Sequence, residues 1–314
     1  LMPNKVLASR FNSLKTATDR LLGPCLETNR NSGDYIFGYG TTLSTYPVQS
    51  STNDLIDADA YQKLYLDIAK ARIHQVGTSG FTPVAYKIGD YLTNPATADK
   101  IEEAYVTDLE TLSSTMVTDK FVCHPSQADL LACDASTTAS TWNGTKNHIF
   151  TVTFTNAQKR REYFNAGGQI RFVPSMTYAG SQGKTIDWKT MLNAIGTVSF
   201  GCQGTFGSGG VGQSYGGIGH DYMTNSYQTA YYNQGGGVYS PNRYTLYAME
   251  LNDYTLQFKG EFSDPSYGNP DEEVLAAAHH DTFFFRPNGT ATILGTSYTT
   301  VQSELPTSTT IATL

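Results

Sequence analysis

The sequence predicts an α+β fold: a helical N-terminal part followed by a β-rich domain with short inserted helices. Three observations predict it. Apolar residues recur every three or four positions over much of the first 120 residues. From Trp142 onward the apolar period shortens to two. At 314 residues the chain is long enough for two domains, or for one large one with a substantial core. The expected organisation is a mainly helical docking or assembly region over 1–120, a connection over 121–141, and a β-rich domain over 142–314. That last domain contains a Gly/Tyr-rich segment at 201–240.

In the first helix Phe11, Leu14, Leu21 and Leu22 form one stripe behind a candidate cap at Ser9, and Gly23-Pro24 ends it. The second begins at Asp57, sets Tyr61, Leu64, Tyr65 and Ile68 on one face, and stops at Gly77. A third runs from Thr97 and aligns Ile101, Tyr105, Leu109, Leu112 and Met116. The first two resemble each other. Phe11-Asn12-Ser13-Leu14 matches Tyr61-Gln62-Lys63-Leu64, after the entries Val6-Leu7-Ala8 and Leu55-Ile56-Asp57-Ala58. Two copies are too few for a solenoid, which leaves a duplicated docking hairpin. Between them the glycines of Tyr35-Ile36-Phe37-Gly38-Tyr39-Gly40 suggest a close backbone approach. Residues 121–141, rich in Ser, Thr and Ala and holding Pro125, read as a connection.

Beyond it, His148 to Phe154 alternates apolar and polar as a strand does, and so does Gln169 to Val173. Short helices are expected at Ala157–Phe164 and Asp187–Ile195. Tyr244–Leu251 and Tyr254–Phe262, joined by Asn252-Asp253, read as a hairpin; Thr282–Arg286 and Thr290–Leu294 around Asn288-Gly289 read as another. Asn143-Gly144-Thr145 and Asn288-Gly289-Thr290 match a glycosylation sequon, but Asn-Gly is explained by a turn. Nine glycines fall within 201–219, and nine tyrosines between Tyr215 and Tyr254. Such a stretch reads as a long loop over the β-domain, or as a partner-facing or glycan-facing surface of flat amphipathic rings. Tyr215, Tyr222, Tyr227, Tyr231, Tyr232 and Tyr239 are the candidate interaction residues.

Only 16% of residues are charged, against roughly 25% in ordinary soluble proteins, which suits contact better than free solvation. A net charge of -7 and the absence of a basic stripe argue against nucleic-acid binding. The apolar runs are strand-sized, so no membrane span is expected. No secretory signal is recognised, and cytoplasmic synthesis is the expectation; Leu1 precedes Met2, so the native start is expected elsewhere. Cys25, Cys123, Cys133 and Cys202 fit neither a disulfide framework nor paired zinc knuckles, and Cys123, His124 and Cys133 lack a fourth ligand.

Three enzyme-like strings fail on context. Tyr178-Ala179-Gly180-Ser181-Gln182-Gly183-Lys184-Thr185 ends like a phosphate-binding loop but opens on Tyr where the turn requires Gly. Gly212-Gln213-Ser214-Tyr215-Gly216, with Asp264 and His279 or His280 following, matches a nucleophile elbow, yet the Gly-rich residues before it cannot form the feeding strand. Asp271-Glu272-Glu273 with His279-His280-Asp281 reads as an acidic turn and a strand, since neighbouring strand residues face opposite ways. Trp142, His148 and Trp188 read as core or interface anchors. Catalytic, cofactor and metal residues are therefore expected to be none.

One string is specific. Phe164-Asn165-Ala166-Gly167-Gly168-Gln169-Ile170-Arg171, after Thr151-Val152-Thr153-Phe154-Thr155-Asn156, resembles a string in virion structural proteins of cyanobacterial and related tailed phages. Phe37-Gly38-Tyr39-Gly40, Ile73-His74-Gln75-Val76-Gly77, Trp142-Asn143, Asp187-Trp188 to Leu192 and Gly196-Thr197-Val198-Ser199-Phe200 are similar to that family's landmarks in the same order. Thr41 stands where the family pattern has Gln. The resemblance covers most of the chain, more weakly over 78–140 and the Tyr-Gly segment. It implies a non-enzymatic virion component, a tail fibre, neck or other appendage, partnered by copies of itself and other virion proteins. A glycan-binding host-recognition adhesin, a capsid decoration protein and a hydrolase or depolymerase are the rival readings.

Overall fold

The computed structural model describes residues 8–26, 34–44, 58–77, 103–265, 273–293 and 295–314. The fold is α+β, with the helices mostly N-terminal and two antiparallel sheets after them. The chain divides into two compact units. One comprises Leu1–Asp129, Arg161–Gly167 and Pro287–Ser303; the other comprises Leu130–Arg160, Gly168–Arg286 and Glu304–Leu314.

The first unit is built on α1 (Ala8–Leu22), α2 (Ala58–Val76) and α3 (Glu103–Thr118). The stripes read from the sequence face its core: Phe11, Leu14, Leu21, Leu22, Tyr61, Leu64, Tyr65, Ile68, Leu109 and Met116 are all buried together. Phe11 and Leu14 thus occupy the same core as their sequence counterparts Tyr61 and Leu64. Ser9 is already helical, so it does not cap α1. The apolar-small entries Val6-Leu7 and Leu55-Ile56-Asp57, and the first residues of the third helix from Thr97 to Lys100, lie outside the described residues.

The expected close approach at Gly38 is present. Its φ is +98°, and a Cβ would stand 2.7 Å from the Cys25 nitrogen. The Phe164–Gly167 string organises the same region. Helix α4 (Ala157–Asn165) ends at Asn165, whose amide donates to the carbonyls of Phe37 at 3.0 Å and Tyr35 at 3.1 Å. Gly167, at φ +81°, then turns the chain where a Cβ would stand 2.7 Å from the Cys123 nitrogen. The motif is thus a helix stop and a clamp on the Tyr35–Gly38 loop.

Residues 121–141 are not a plain connection. They hold a short 3-10 turn at Pro125–Gln127 and β1 (Ala128–Thr137). Their Ser/Thr/Ala composition reads as loop, but Thr and the run Leu130-Leu131-Ala132-Cys133 also suit a half-exposed edge strand.

The second unit is a two-sheet sandwich. One sheet runs β1, β10 (Ala278–Ile293), β3 (Gln169–Met176), β4 (Val198–Phe200), β5 (Thr205–Gly207); the end of β10 from Asn288 to Ile293 belongs to the first unit, where β11 (Thr296–Gln302) pairs with it. The other runs β12 (Thr307–Ala312), β2 (Gly144–Thr153), β9 (Thr255–Asp264), β8 (Arg243–Asn252), β7 (Gln228–Gln234), β6 (Gln213–Ser214). The period-two pattern explains the layering: His148, Phe150 and Val152 of β2 are buried, and so are Ile170 and Phe172 of β3. Rings cross from sheet to sheet, with Phe172 5.2 Å and Phe200 5.1 Å from Phe258. Helix α5 (Gly183–Ile195) lays Trp188 edge-on to Trp142 at 5.0 Å, with Phe262 beside both.

The hairpin around Asn252-Asp253 forms as β8 and β9. The one expected around Asn288-Gly289 does not. β10 runs straight through those residues, and the register merely shifts between Asn288 and Thr290. Gly289 is needed there because a Cβ would overlap the Gln127 amide oxygen and the Thr300 hydroxyl. A bulge glycine and a turn glycine look alike in sequence. The 201–240 segment is likewise not one long loop, since it supplies β5, β6 and β7.

Candidate functional site

The Gly/Tyr-rich segment supplies one outer face of the second sheet. On β8 Tyr244, Leu246 and Ala248 point inward and are buried, so Thr245, Tyr247 and Met249 point to the opposite face, where Thr245 is buried and Tyr247 and Met249 are half-buried. Opposite them on β9 stand Glu261, Lys259 and Gln257. Tyr227, just before β7, meets Tyr247 with ring centroids 6.2 Å apart, and its hydroxyl donates to Gln257 Oε1 at 2.7 Å. The Lys259 ammonium sits 4.2 Å from the Tyr247 ring and 5.3 Å from that of Tyr227, and pairs with Glu261 at 2.9 Å. A second aromatic pair lies toward β6. Tyr215 and Tyr232 are 6.2 Å apart, Tyr232 donates to Gln213 Oε1 at 2.8 Å, and the Arg243 guanidinium stands 4.8 Å over the Tyr232 ring.

This arrangement is pre-set for contact. Rings whose hydroxyls are already tied down lose little freedom when something lies on them, and the Gln amides between them keep donors to offer. Partial burial raises the hydroxyl pKa of Tyr227 and Tyr247, Glu261 adding to the effect at Tyr247, so both stay neutral donors.

Of the six tyrosines expected to form a surface, Tyr215, Tyr222 and Tyr227 are exposed and Tyr232 and Tyr239 half-buried. Tyr231 is a correction: it is fully buried. The register of β7 slips between Thr229 and Tyr231, so Ala230 and Tyr231 both turn inward. Its hydroxyl donates to the Val211 carbonyl at 2.7 Å, and burial pushes it up to about 12. Among the described residues no ring contact joins Tyr222 or Tyr239 to the face; Tyr239 lies against Gly183 at the start of α5. Tyr247 was missed, although counting by two along Tyr244–Leu251 from an inward Tyr244 would have found it.

The enzyme-like strings resolve into structural contacts. Lys184 does not face a loop; it is buried and pairs at 2.8 Å with the buried Asp264. Asn242, with its amide turned to satisfy both neighbours, donates to Asp264 Oδ1 at 2.9 Å and accepts from Trp188 Nε1 at 3.1 Å. Ser214 accepts from the Gly207 N–H, His279 contacts Thr137, and His280 contacts His148 and Tyr244, so Ser214, Asp264 and His280 serve three different partners. Asp271 and Glu272 lie outside the described residues. Cys123 lies 3.9 Å from His74 Nδ1, and burial and the neighbouring Asp134 push the Cys133 thiol up to about 12. Among the described residues no three His, Cys, Asp or Glu side chains are grouped to hold a metal ion, and no helix is long and apolar enough to cross a membrane.

Compared with known proteins, the chain matches no family model, no curated protein and no solved structure.

Proposed function

We propose that this chain is a non-enzymatic structural component of a tailed-phage virion, a tail-fibre, neck or other appendage subunit that assembles with copies of itself and with other virion proteins. The observation that supports the reading best is the outer face of β7, β8 and β9, where tyrosines, glutamines and two ring-capping cations are held in fixed positions. Its low overall charge fits durable contact. Closed symmetry would make the assembly a homo-oligomer. The test is the copy number and symmetry of this chain in purified particles, by quantitative mass spectrometry and cryo-electron microscopy. Three-fold clusters fit a fibre and six- or twelve-fold ones a neck or tail ring. Hundreds of copies would move it to the capsid as a decoration protein, and absence from the particle refutes the reading.

The same face favours one second reading, a host-recognition adhesin. Flat exposed rings flanked by amides and charges are what a sugar's apolar face and hydroxyls require. Retention of the full chain on a glycan array, lost on replacing Tyr247 and Tyr232 by Ala, would select it; no retained glycan removes it.

A further inference from the structure

The core of the sandwich holds a run of polar side chains that neither reading uses. His148 of β2 and His280 of β10 face each other with their Nδ1 atoms 2.8 Å apart. His280 Nε2 is 2.9 Å from the Tyr244 hydroxyl of β8, and His148 Nε2 is 3.5 Å from Asp134 Oδ2 of β1. Both histidines and Tyr244 are wholly buried. Asp134 lies at the margin, where the Thr310 hydroxyl of β12 contacts both its oxygens at 2.9 Å.

Two facing Nδ1 atoms at this distance share a single proton, because two N–H groups would collide and two lone pairs would repel. A carboxylate beside His148 Nε2 calls for the hydrogen on that nitrogen. His148 Nδ1 is then the acceptor, His280 Nδ1–H donates to it, and the bare His280 Nε2 accepts from Tyr244 O–H. Neutral rings therefore run the hydrogen-bond chain one way, from Tyr244 through His280 to His148, whose Nε2–H is turned to the Asp134 carboxylate without a close hydrogen bond.

We propose that this chain is an acid-sensitive lock on the β-sandwich, holding while both rings are neutral and reversing, at the expense of the core, when the pair takes up a proton. A protonated His148 carries N–H on both nitrogens, so His280 must move its own proton to Nε2. Tyr244 then has to accept, and its O–H, which among the described residues makes no other hydrogen bond, loses the acceptor it has on His280. The titratable groups facing the pair are Asp134 from β1, Asp281 from β10 and Tyr244 from β8, with Tyr231 of β7 behind Tyr244. β3 and β9 contribute the rings of Phe172 and Phe262.

The two carboxylates favour a charged His148, but burial outweighs them and holds it below the ordinary imidazole value. Burial and the neighbouring His148 hold His280 well below it. Depressed folded values mean that this stability is complete above about pH 6.5 and is lost as pH falls below it. The unfolded chain then takes up two protons that the fold refuses, raising the unfolded-to-folded ratio by up to about 100-fold per pH unit.

The test uses the full chain and does not depend on the virion reading. Nitrogen-15 spectra of the histidine rings at pH 7.5 should show His280 protonated on Nδ1 and His148 on Nε2, with each ring less charged at pH 6.5 than a free imidazole. Urea unfolding between pH 7.5 and 5 should steepen on the acid side for the native sequence. His280→Gln should flatten that dependence by about tenfold per pH unit. Tyr244→Phe, which leaves no hydroxyl to orphan, should raise the pH at which the pair protonates. Should His280→Gln not fold, the ring spectra and Tyr244→Phe carry the test. Reversed tautomers, a ring at either position as charged at pH 6.5 as a free imidazole, or an unchanged pH dependence in these variants would overturn the proposal.

Discussion

His74 gives the sharpest quantitative expectation, because its environment can be costed from one group. It is fully buried on α2 and surrounded by the helical core; its Nε2 donates to the Ala166 carbonyl at 2.8 Å, and the Tyr39 ring lies 5.3 Å away. Burial lowers its pKa from 6.5 to about 4, while the bond to Ala166 works the other way. The fold therefore prefers the neutral ring, and its contribution is complete above about pH 6.5 and lost as pH falls toward 4. A difference of about 2.5 units at 1.36 kcal/mol each gives about 3.4 kcal/mol in total, about three quarters of it gone by pH 4.5. The perturbation is His74→Gln, an uncharged side chain that removes the titration whatever its effect on packing. The assay is urea unfolding of the helical signal at pH 7.5 and 4.5 for both proteins. Native protein should lose about 2.5 kcal/mol more than the variant over that interval. Equal losses, or a His74 ring that titrates near 6.5 in the folded chain, would refute the reasoning.

Other outcomes follow from the same geometry. Lys184→Met removes the cation paired with the buried Asp264 and should cost about 3–5 kcal/mol in urea unfolding, much of it recovered in Lys184→Met with Asp264→Leu. Trp188→Ala opens a cavity beside Trp142 and Phe262 and should cost about 3–5 kcal/mol by the same measurement. Asn165→Ala removes the amide bonded to the Tyr35 and Phe37 carbonyls and should cost about 1–3 kcal/mol, with faster hydrogen exchange across residues 35–38. Tyr247→Ala, half-exposed on the outer face, should change stability by less than about 1 kcal/mol while weakening self-association or ligand retention, as read by sedimentation and by glycan array.

The α+β class and the type of most elements were legible because each rests on local periodicity. Phe11 to Leu22 declares a helix and His148 to Val152 a strand before any neighbour is present. The failures share a cause. Gly289 was read as a turn because its role, letting Gln127 and Thr300 approach, belongs to residues far away in the chain. Tyr231 was assigned to the surface from the composition of its segment, whereas its pairing opposite the inward Leu246 of β8 turns it into the core.

Composition and spacing alone therefore settled the α+β class, the three N-terminal helices and the strands around His148–Phe154, Gln169–Val173 and Tyr244–Phe262, and that the tyrosines concentrate near the β7–β9 region. Tertiary structure decided which of those rings are exposed, that Lys184 finds Asp264, and that His148 meets His280 132 residues later. The physical reason is that periodicity is a property of neighbouring residues. A buried polar group is satisfied only by whatever partner folding brings within hydrogen-bond reach, and sequence distance does not encode that partner.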